Sequence, residues 1–337
     1  HRPRKVIRLR PAQPRSDEMS SDARRRLAAP TLAMLPRVAD SLSFLYADVV
    51  RIVQDDTGVC AQVDTPRGVE RVYLPTAALS CLLLGPGTSI THRALSTLAR
   101  HGTTVVCVGS GGVRCYAGIT PTSLTTTWLE KQVRCWADED ARLAVAVRMY
   151  ERRFGETVPD GTSLAQLRGM EGQRMKALYR LHAQRHRTGK FRRSYDPAKW
   201  DAQDPVNLAL SAASACLYGV VHAVVLALGC SPALGFIHTG TQHAFVYDVA
   251  DLYKAKITVP LAFSLSGSSD PEREARRKLR EEFRLLKLMP TIVTDIQRIL
   301  DPASVPKHYE PRANVLSLWD PEVGEVPSGV NYGDDDW

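Results

Sequence analysis

The period of the apolar positions changes once along the chain. From Ser41 to about Gly118 they fall in short blocks separated by turn residues: SFLYADVVRIV, a DDTG turn, VCAQVD, a TPRG turn and VERVYLP. Blocks of this length with such punctuation predict a meander of strands joined by hairpins. TSITHRALSTLARHG interrupts them with a helix stopping at Gly102, and TTVVCVG returns to a strand. The glycines of Gly109–Gly112 lead into another strand, VRCYAG, so they predict a turn; a phosphate-binding loop would need a helix N-terminus behind it.

After TPTS the period lengthens to between three and four. Leu129, Val133, Trp136, Leu143, Val147, Tyr150 and Phe154 predict one face of a long helix. Helical patterns continue through SLAQLRGMEGQRMKALYRLHAQ, a stretch from about Asn207, YDVADLYKAK and EREARRKLREEFRLLKLMPTIVTDIQRIL. Between Val206 and Tyr247 there is no Asp, Glu, Lys or Arg. Leu208–Leu228 is long enough to cross a bilayer, but its Ala, Ser, Tyr218, Gly219 and His222 favour a helix packed on all sides in a soluble domain, with no membrane partner. The fold class expected is α+β. A basic extension at 1–30 precedes a small β-rich region at 31–118, a larger all-α catalytic region at 119–305 and a loose acidic tail at 306–337.

Composition narrows the class. The 337 residues are 44% hydrophobic and 24% charged, which excludes wholesale disorder, collagen-like repeats and a disulfide miniprotein. Seven cysteines without a CxxC pair, several in apolar strings, predict a reducing, cytoplasmic setting. The net charge of +8 is unevenly spread: residues 1–30 carry +6, residues 319–337 carry −6, and the remainder carries +8 by itself. A basic body makes nucleic acid a partner to consider. The first 30 residues show no apolar stretch of signal-peptide length, and Met19 could be an original start.

Two stretches could carry chemistry. Arg168–Arg193 holds nine Lys/Arg and one acid, Glu171. It reads either as a solvated basic face with local ion pairs, or as a phosphate-binding surface whose single carboxylate serves a divalent cation. In GFIHTGTQHAFVYDVADLY, His238 lies in a glycine-flanked loop, and Asp248 and Asp251 are spaced i, i+3 at the start of a helix. The two acids could simply complement the helix N-terminus. Alternatively, oxygen ligands with one imidazole suit Mg²⁺ or Mn²⁺ better than a structural zinc. His182 and His186 at i, i+4 in an Arg-rich helix read as facing solvent or phosphate rather than a metal.

At QLRGMEGQRMKALY, LSAASACLYGV and GFIHTGTQHAFVYDVADLYK the chain resembles the CRISPR-associated adaptation integrase, the universal endonuclease/integrase subunit of spacer acquisition, in its I-E form. The resemblance runs from about Leu42 to Leu300 and includes LLLGPGTSITHRAL and VGSGGVRCYAG. It implies a β-rich N-terminal domain, a helical catalytic domain and a homodimer, with a small ferredoxin-like CRISPR-associated dimer bridging two such dimers. It implies joining of double-stranded DNA with free 3′ ends, the protospacer, to CRISPR repeat DNA by transesterification. Glu171, His238 and Asp251 match the family's metal ligands, for Mg²⁺ or Mn²⁺, and Asp248 matches a nearby acid needed for activity. Tyr46 matches an aromatic that brackets the duplex end. Arg114, Arg273 and Arg276 match basic residues on the DNA path, and Tyr195 and Tyr247 match aromatics around the pocket for the single-stranded end. Close relatives tend to carry Lys where Thr241 follows HTG and Arg where Ser89 follows GPGT. Two other classes compete with this reading: a non-catalytic DNA-binding scaffold and a metal-dependent hydrolase of small acidic substrates.

Overall fold

A computed structural model of the chain describes residues 31–34, 43–65, 68–193, 204–281, 285–303, 317–320 and 324–327. It is α+β, with strands gathered towards the N-terminus and helices after them, as the change of period predicts.

The described residues form two sheets. One is ordered β11-β10-β1-β2-β6-β8-β9, from strands β1 (Thr31–Met34), β2 (Phe44–Asp48), β6 (Cys81–Leu84), β8 (Thr104–Val108), β9 (Cys115–Ile119), β10 (Ser317–Asp320) and β11 (Gly324–Pro327). The other is ordered β5-β4-β3-β7, from β3 (Arg51–Gln54), β4 (Val59–Thr65), β5 (Gly68–Tyr73) and β7 (Ser89–Ile90). The β3-β4-β5 meander is antiparallel, as expected. SFLYADVVRIV, however, is two strands in different sheets. The chain turns between them at Val49, whose φ of 53° is unusual for a β-branched residue. Its N–H donates to Pro86 O. β2 then pairs in parallel with β6, and β6 with β8. CLLL at β6 shows no alternation because a parallel strand covered on both faces has no polar side to display.

Period-two geometry sends alternate residues of these strands into different cores. Phe44, Tyr46, Cys81, Leu83, Val106 and Val108 pack with the helices. Leu45, Ala47, Leu82, Leu84 and Val105 pack with the second sheet and with helix α1 (His92–Arg100). The division at 118/119 read from the sequence falls just before the helices, and the larger core runs across it.

The expected long helix is two: α2 (Thr127–Ala137) and α3 (Glu139–Phe154). Asp138 leaves the helical region at φ −99°, ψ 126°, and its side chain accepts the Ala141 N–H, which starts α3 afresh. Gly155, at φ 70°, ends it. Helix α4 (Leu164–His186) opens with a Ser163/Gln166 capping box. Helix α5 (Pro205–Ala227) is the apolar one. It is long and apolar enough to cross a membrane, yet 72% of its most apolar window is buried inside the protein, as befits a core helix. It is surrounded by α6 (Ala244–Lys254), α7 (Thr258–Ser264), α8 (Pro271–Arg280) and α9 (Met289–Leu300).

The acidic tail departs from its expectation. Residues 317–320 pair antiparallel with β1, and 324–327 pair with 317–320, so part of the tail extends the large sheet. Trp319 and Val326 are the residues of high β-propensity in these two strands, against Gly324, Pro327 and two acids within them. The basic extension at 1–30 lies outside the described residues.

Candidate active site

His238 sits at the end of a loop that three helices clamp. From α2, the Gln132 amide donates to Ser231 O and Leu234 O and accepts the Ser231 N–H, while Trp136 Nε1 donates to Gly235 O. From α3, Arg142 donates to Gly235 O and Phe236 O. From α4, Arg168 donates to Ile237 O at 2.7 Å. Gly235 is required by this packing: a Cβ there would lie 2.5 Å from His238 O and 2.8 Å from the backbone of Ala244.

Asp248 finishes the construction. It is fully buried, and its carboxylate accepts the backbone N–H groups of Phe236 (2.5 Å), Ile237 (3.0 Å) and His238 (2.9 Å). Asp248 Oδ1 also lies 2.6 Å from His238 Nδ1. This hydrogen bond raises the His238 pKa above the usual imidazole value against the opposing effect of burial. With Nδ1 so engaged, Nε2 is the nitrogen left to act. The helix-start reading of the two acids is thereby corrected. α6 begins at Ala244, so Asp248 and Asp251 lie beyond its first turn, and His243 at the cap position makes no side-chain capping bond.

Glu171, Asp248 and Asp251 line one pocket with Arg153, Arg168 and Tyr150. Two cations hold the carboxylates. Arg153 Nη1 is 2.5 Å from Glu171 Oε1 and 3.6 Å from Asp251 Oδ2, and Lys254 Nζ is 2.5 Å from Asp251 Oδ1. Burial works against the Lys254 charge, but Asp251 and Tyr218 outweigh it and its pKa is raised. Among the described residues no three His, Cys, Asp or Glu side chains converge closely enough to hold a metal as they stand. The donor chemistry nevertheless fits a hard divalent cation: the Glu171 and Asp251 carboxylates border one pocket, as does Ile237, the residue before His238.

Beside this lies a second pocket lined by Arg114, Tyr116, Tyr218, His222, His243 and Tyr247 among others. The Tyr218 and Tyr247 rings are 4.8 Å apart, Tyr247 is 5.9 Å from the His238 ring, and Lys254 Nζ lies 4.8 Å over Tyr218. Aromatic surface therefore runs from Arg114 towards His238. Burial pushes the Cys216 thiol on α5 up to about 11 against the opposing charges of Arg276, Arg114 and Arg280. Arg273 is exposed on α8, and Arg276 pairs with Glu272 at 3.1 Å.

Tyr46 is not presented for stacking on DNA. It is 1% exposed, in a strand covered on both faces, and its hydroxyl donates to Asp48 and accepts the Gly111 N–H. Tyr195 lies outside the described residues. His182 is also corrected: it is buried, and its ring stacks on Phe263 rather than facing solvent or phosphate. Arg153, Tyr218 and Lys254 were missed. Arg153 had a signal, since it falls beside Tyr150 and Phe154 on the apolar face of its helix, where an ordinary surface arginine would not stand.

A clamped histidine, a buried orienting aspartate and two further carboxylates beside a basic, aromatic surface define a site suited to phosphodiester chemistry. The family model of CRISPR associated protein Cas1 matches residues 151–285. The chain is 40% identical to the CRISPR-associated endonuclease Cas1 2 of Thermus thermophilus, over 92% of this chain and 95% of that one. It is 38% identical to the CRISPR-associated endonuclease Cas1 of Escherichia coli K12, over 78% and 85%. A crystal structure of a TtCas1–DNA complex superimposes with a TM-score of 0.71 at 40% identity, covering 79% of this chain and 99% of that one. The chain belongs to the Cas1 family of CRISPR-associated endonucleases.

Proposed function

We propose that the protein is a Mg²⁺- or Mn²⁺-dependent DNA integrase and endonuclease of CRISPR spacer acquisition, of the I-E form, working in the cytoplasm. It joins protospacer 3′-hydroxyls to the borders of CRISPR repeat DNA by transesterification. It works as a homodimer, two of which are bridged by a small ferredoxin-like CRISPR-associated dimer. The observation that carries this reading is the Asp248 carboxylate, which fixes the His238 backbone and ring together and itself lines the pocket of Glu171 and Asp251.

Glu171, Asp251 and His238, through Nε2, would hold the divalent ion. Bound there, it would supply Lewis-acid stabilisation of the charge that develops on the attacked phosphate. The protein's own groups do the rest. Asp248 holds the imidazole in one tautomer and orientation, so no reorganisation is needed when substrate arrives. Arg114, Arg273 and Arg276 hold backbone phosphates, while Tyr218 and Tyr247 offer ring faces to unpaired bases next to His238. When water takes the place of the 3′-hydroxyl, the same site cleaves the strand.

The test mixes the protein and its small partner with a short duplex bearing free 3′-ends and a supercoiled repeat-bearing plasmid, in Mg²⁺ or EDTA. Joined product in Mg²⁺ alone, lost in His238→Ala and Asp251→Ala, is expected. Folded wild-type protein that gives no joined product in Mg²⁺ overturns the assignment. Unchanged joining by both variants would point to a scaffold.

A further inference from the structure

Three helices meet at one guanidinium. Arg153 is at the end of α3, Glu171 on α4 and Asp251 on α6, and Nη1 of Arg153 contacts both carboxylates. The arginine side chain is 7% exposed. Apart from the Phe154 ring, 5.0 Å away in a cation–π contact, its remaining surroundings offer little: Met175 Sδ lies 3.2 Å from Nη2, and the buried Nε has no hydrogen-bond partner. Burying a charge in such company is costly unless opposite charges compensate it, and the compensating groups here are Glu171 and Asp251. Lys254 pairs with Asp251 alone, whereas Arg153 touches both carboxylates, which face the same pocket from separate helices and repel one another more strongly without it.

We propose that Arg153 is a built-in counter-cation: it holds Glu171 and Asp251 in place in the metal-free protein and competes with a divalent ion for them, thereby setting the metal affinity of the site. This rests on the reading of Glu171, His238 and Asp251 as the metal set. Two observations favour competition over joint binding. With Arg153 bridging the carboxylates, the described residues offer no cluster of three ligands. A dication placed against a buried guanidinium would also meet unscreened repulsion. Arg153 itself lines the pocket that Glu171 and Asp251 face, so metal arriving there meets the guanidinium directly. Arg153 is thus a positioning residue. It keeps the ligands assembled without metal and yields when metal arrives.

The experiment titrates the full chain with Mn²⁺, following free Mn²⁺ by its paramagnetic resonance, and measures thermal unfolding in EDTA and in Mn²⁺. Arg153→Met should unfold at a lower temperature than wild type in EDTA, bind Mn²⁺ roughly tenfold or more tightly, and show a larger Mn²⁺-induced rise in Tm. Arg153→Lys keeps a charge but loses the guanidinium that places Nη1 between the two carboxylates, and should fall between the two on each measure. Mn²⁺ affinity that is unchanged or weaker in a folded Arg153→Met overturns the proposal. Should that variant not fold in EDTA, unchanged or weaker affinity in Arg153→Lys overturns it. Glu171→Gln and Asp251→Asn separate the two levels. Wild-type Mn²⁺ binding in both removes the metal reading itself and the proposal with it. Loss of binding in both, without tightening in Arg153→Met, removes competition alone.

Discussion

Asp248 satisfies three backbone donors and one imidazole with two oxygens, and none of its surface is exposed. Asp248→Ala should therefore cost stability as well as chemistry, roughly 3–5 kcal/mol as for removal of one partner from a buried charged network. Denaturant unfolding checks the first effect and strand joining the second. His222 offers a cleaner pH probe. Burial, helped by the neighbouring His243, brings its pKa down to about 4. Protonation then favours the unfolded chain, so the stability due to neutral His222 is complete above the ordinary value of about 6.5 and fades as pH falls from there towards 4. His222→Gln should flatten the pH dependence of Tm across that window, and an unchanged slope would assign the acid sensitivity elsewhere. At this scale the sequence exposed chemistry better than geometry. His238, Asp248 and Asp251 were all candidates from their residue types and spacing. That Asp248 reaches back to bind the loop before its own helix was hidden, because such a contact depends on the loop's path, and the burial of Tyr46 depends on what covers both faces of its strand.

Among the elements, α5 makes a close backbone approach. A Cβ at Gly219 would stand 2.5 Å from Arg114 Cα and 2.8 Å from its N, so the helix and the turn before β9 touch backbone to backbone. Gly219→Ala must push the two apart. It should cost roughly 1–3 kcal/mol and weaken single-strand binding by shifting Arg114, which thermal unfolding and a fluorescence-anisotropy titration would separate. The elements themselves were largely legible, because α1, the β3-β4-β5 meander and α5 each bury a face or surface that their own period records. Breaks were not. The division of α2 from α3 rests on one residue, Asp138, whose capping role competes with a continuous apolar stripe. The parting of β2 from β3 at Val49 rests on a backbone angle that a valine does not advertise.

Taken as a whole, the molecule places its positive charge where its aromatic surface lies. Arg114 packs against α5 at Gly219 and shares a pocket with Tyr218 and Tyr247. The acidic end of the chain opposes that field. Residues 328–337, beyond β11 in sequence, include Asp334, Asp335 and Asp336. Truncation after Pro327 should tighten duplex binding at low ionic strength, with the difference disappearing at high salt. Equal affinities at low salt would show that the tail does not screen the DNA surface.

The strand β2 hands Phe44 and Tyr46 to one core and Leu45 and Ala47 to the other, so the sheet is a party wall between two rooms. Such a wall leaves no clean line for dissection. A fragment starting at residue 119 would keep α5 but lose the strands that roof it, exposing a flank of alanine, valine and leucine to water. Expressed alone, that fragment should aggregate or bind hydrophobic dyes, although every one of its candidate metal ligands is present. A soluble, cooperatively melting fragment would mean that the helices need no wall at all.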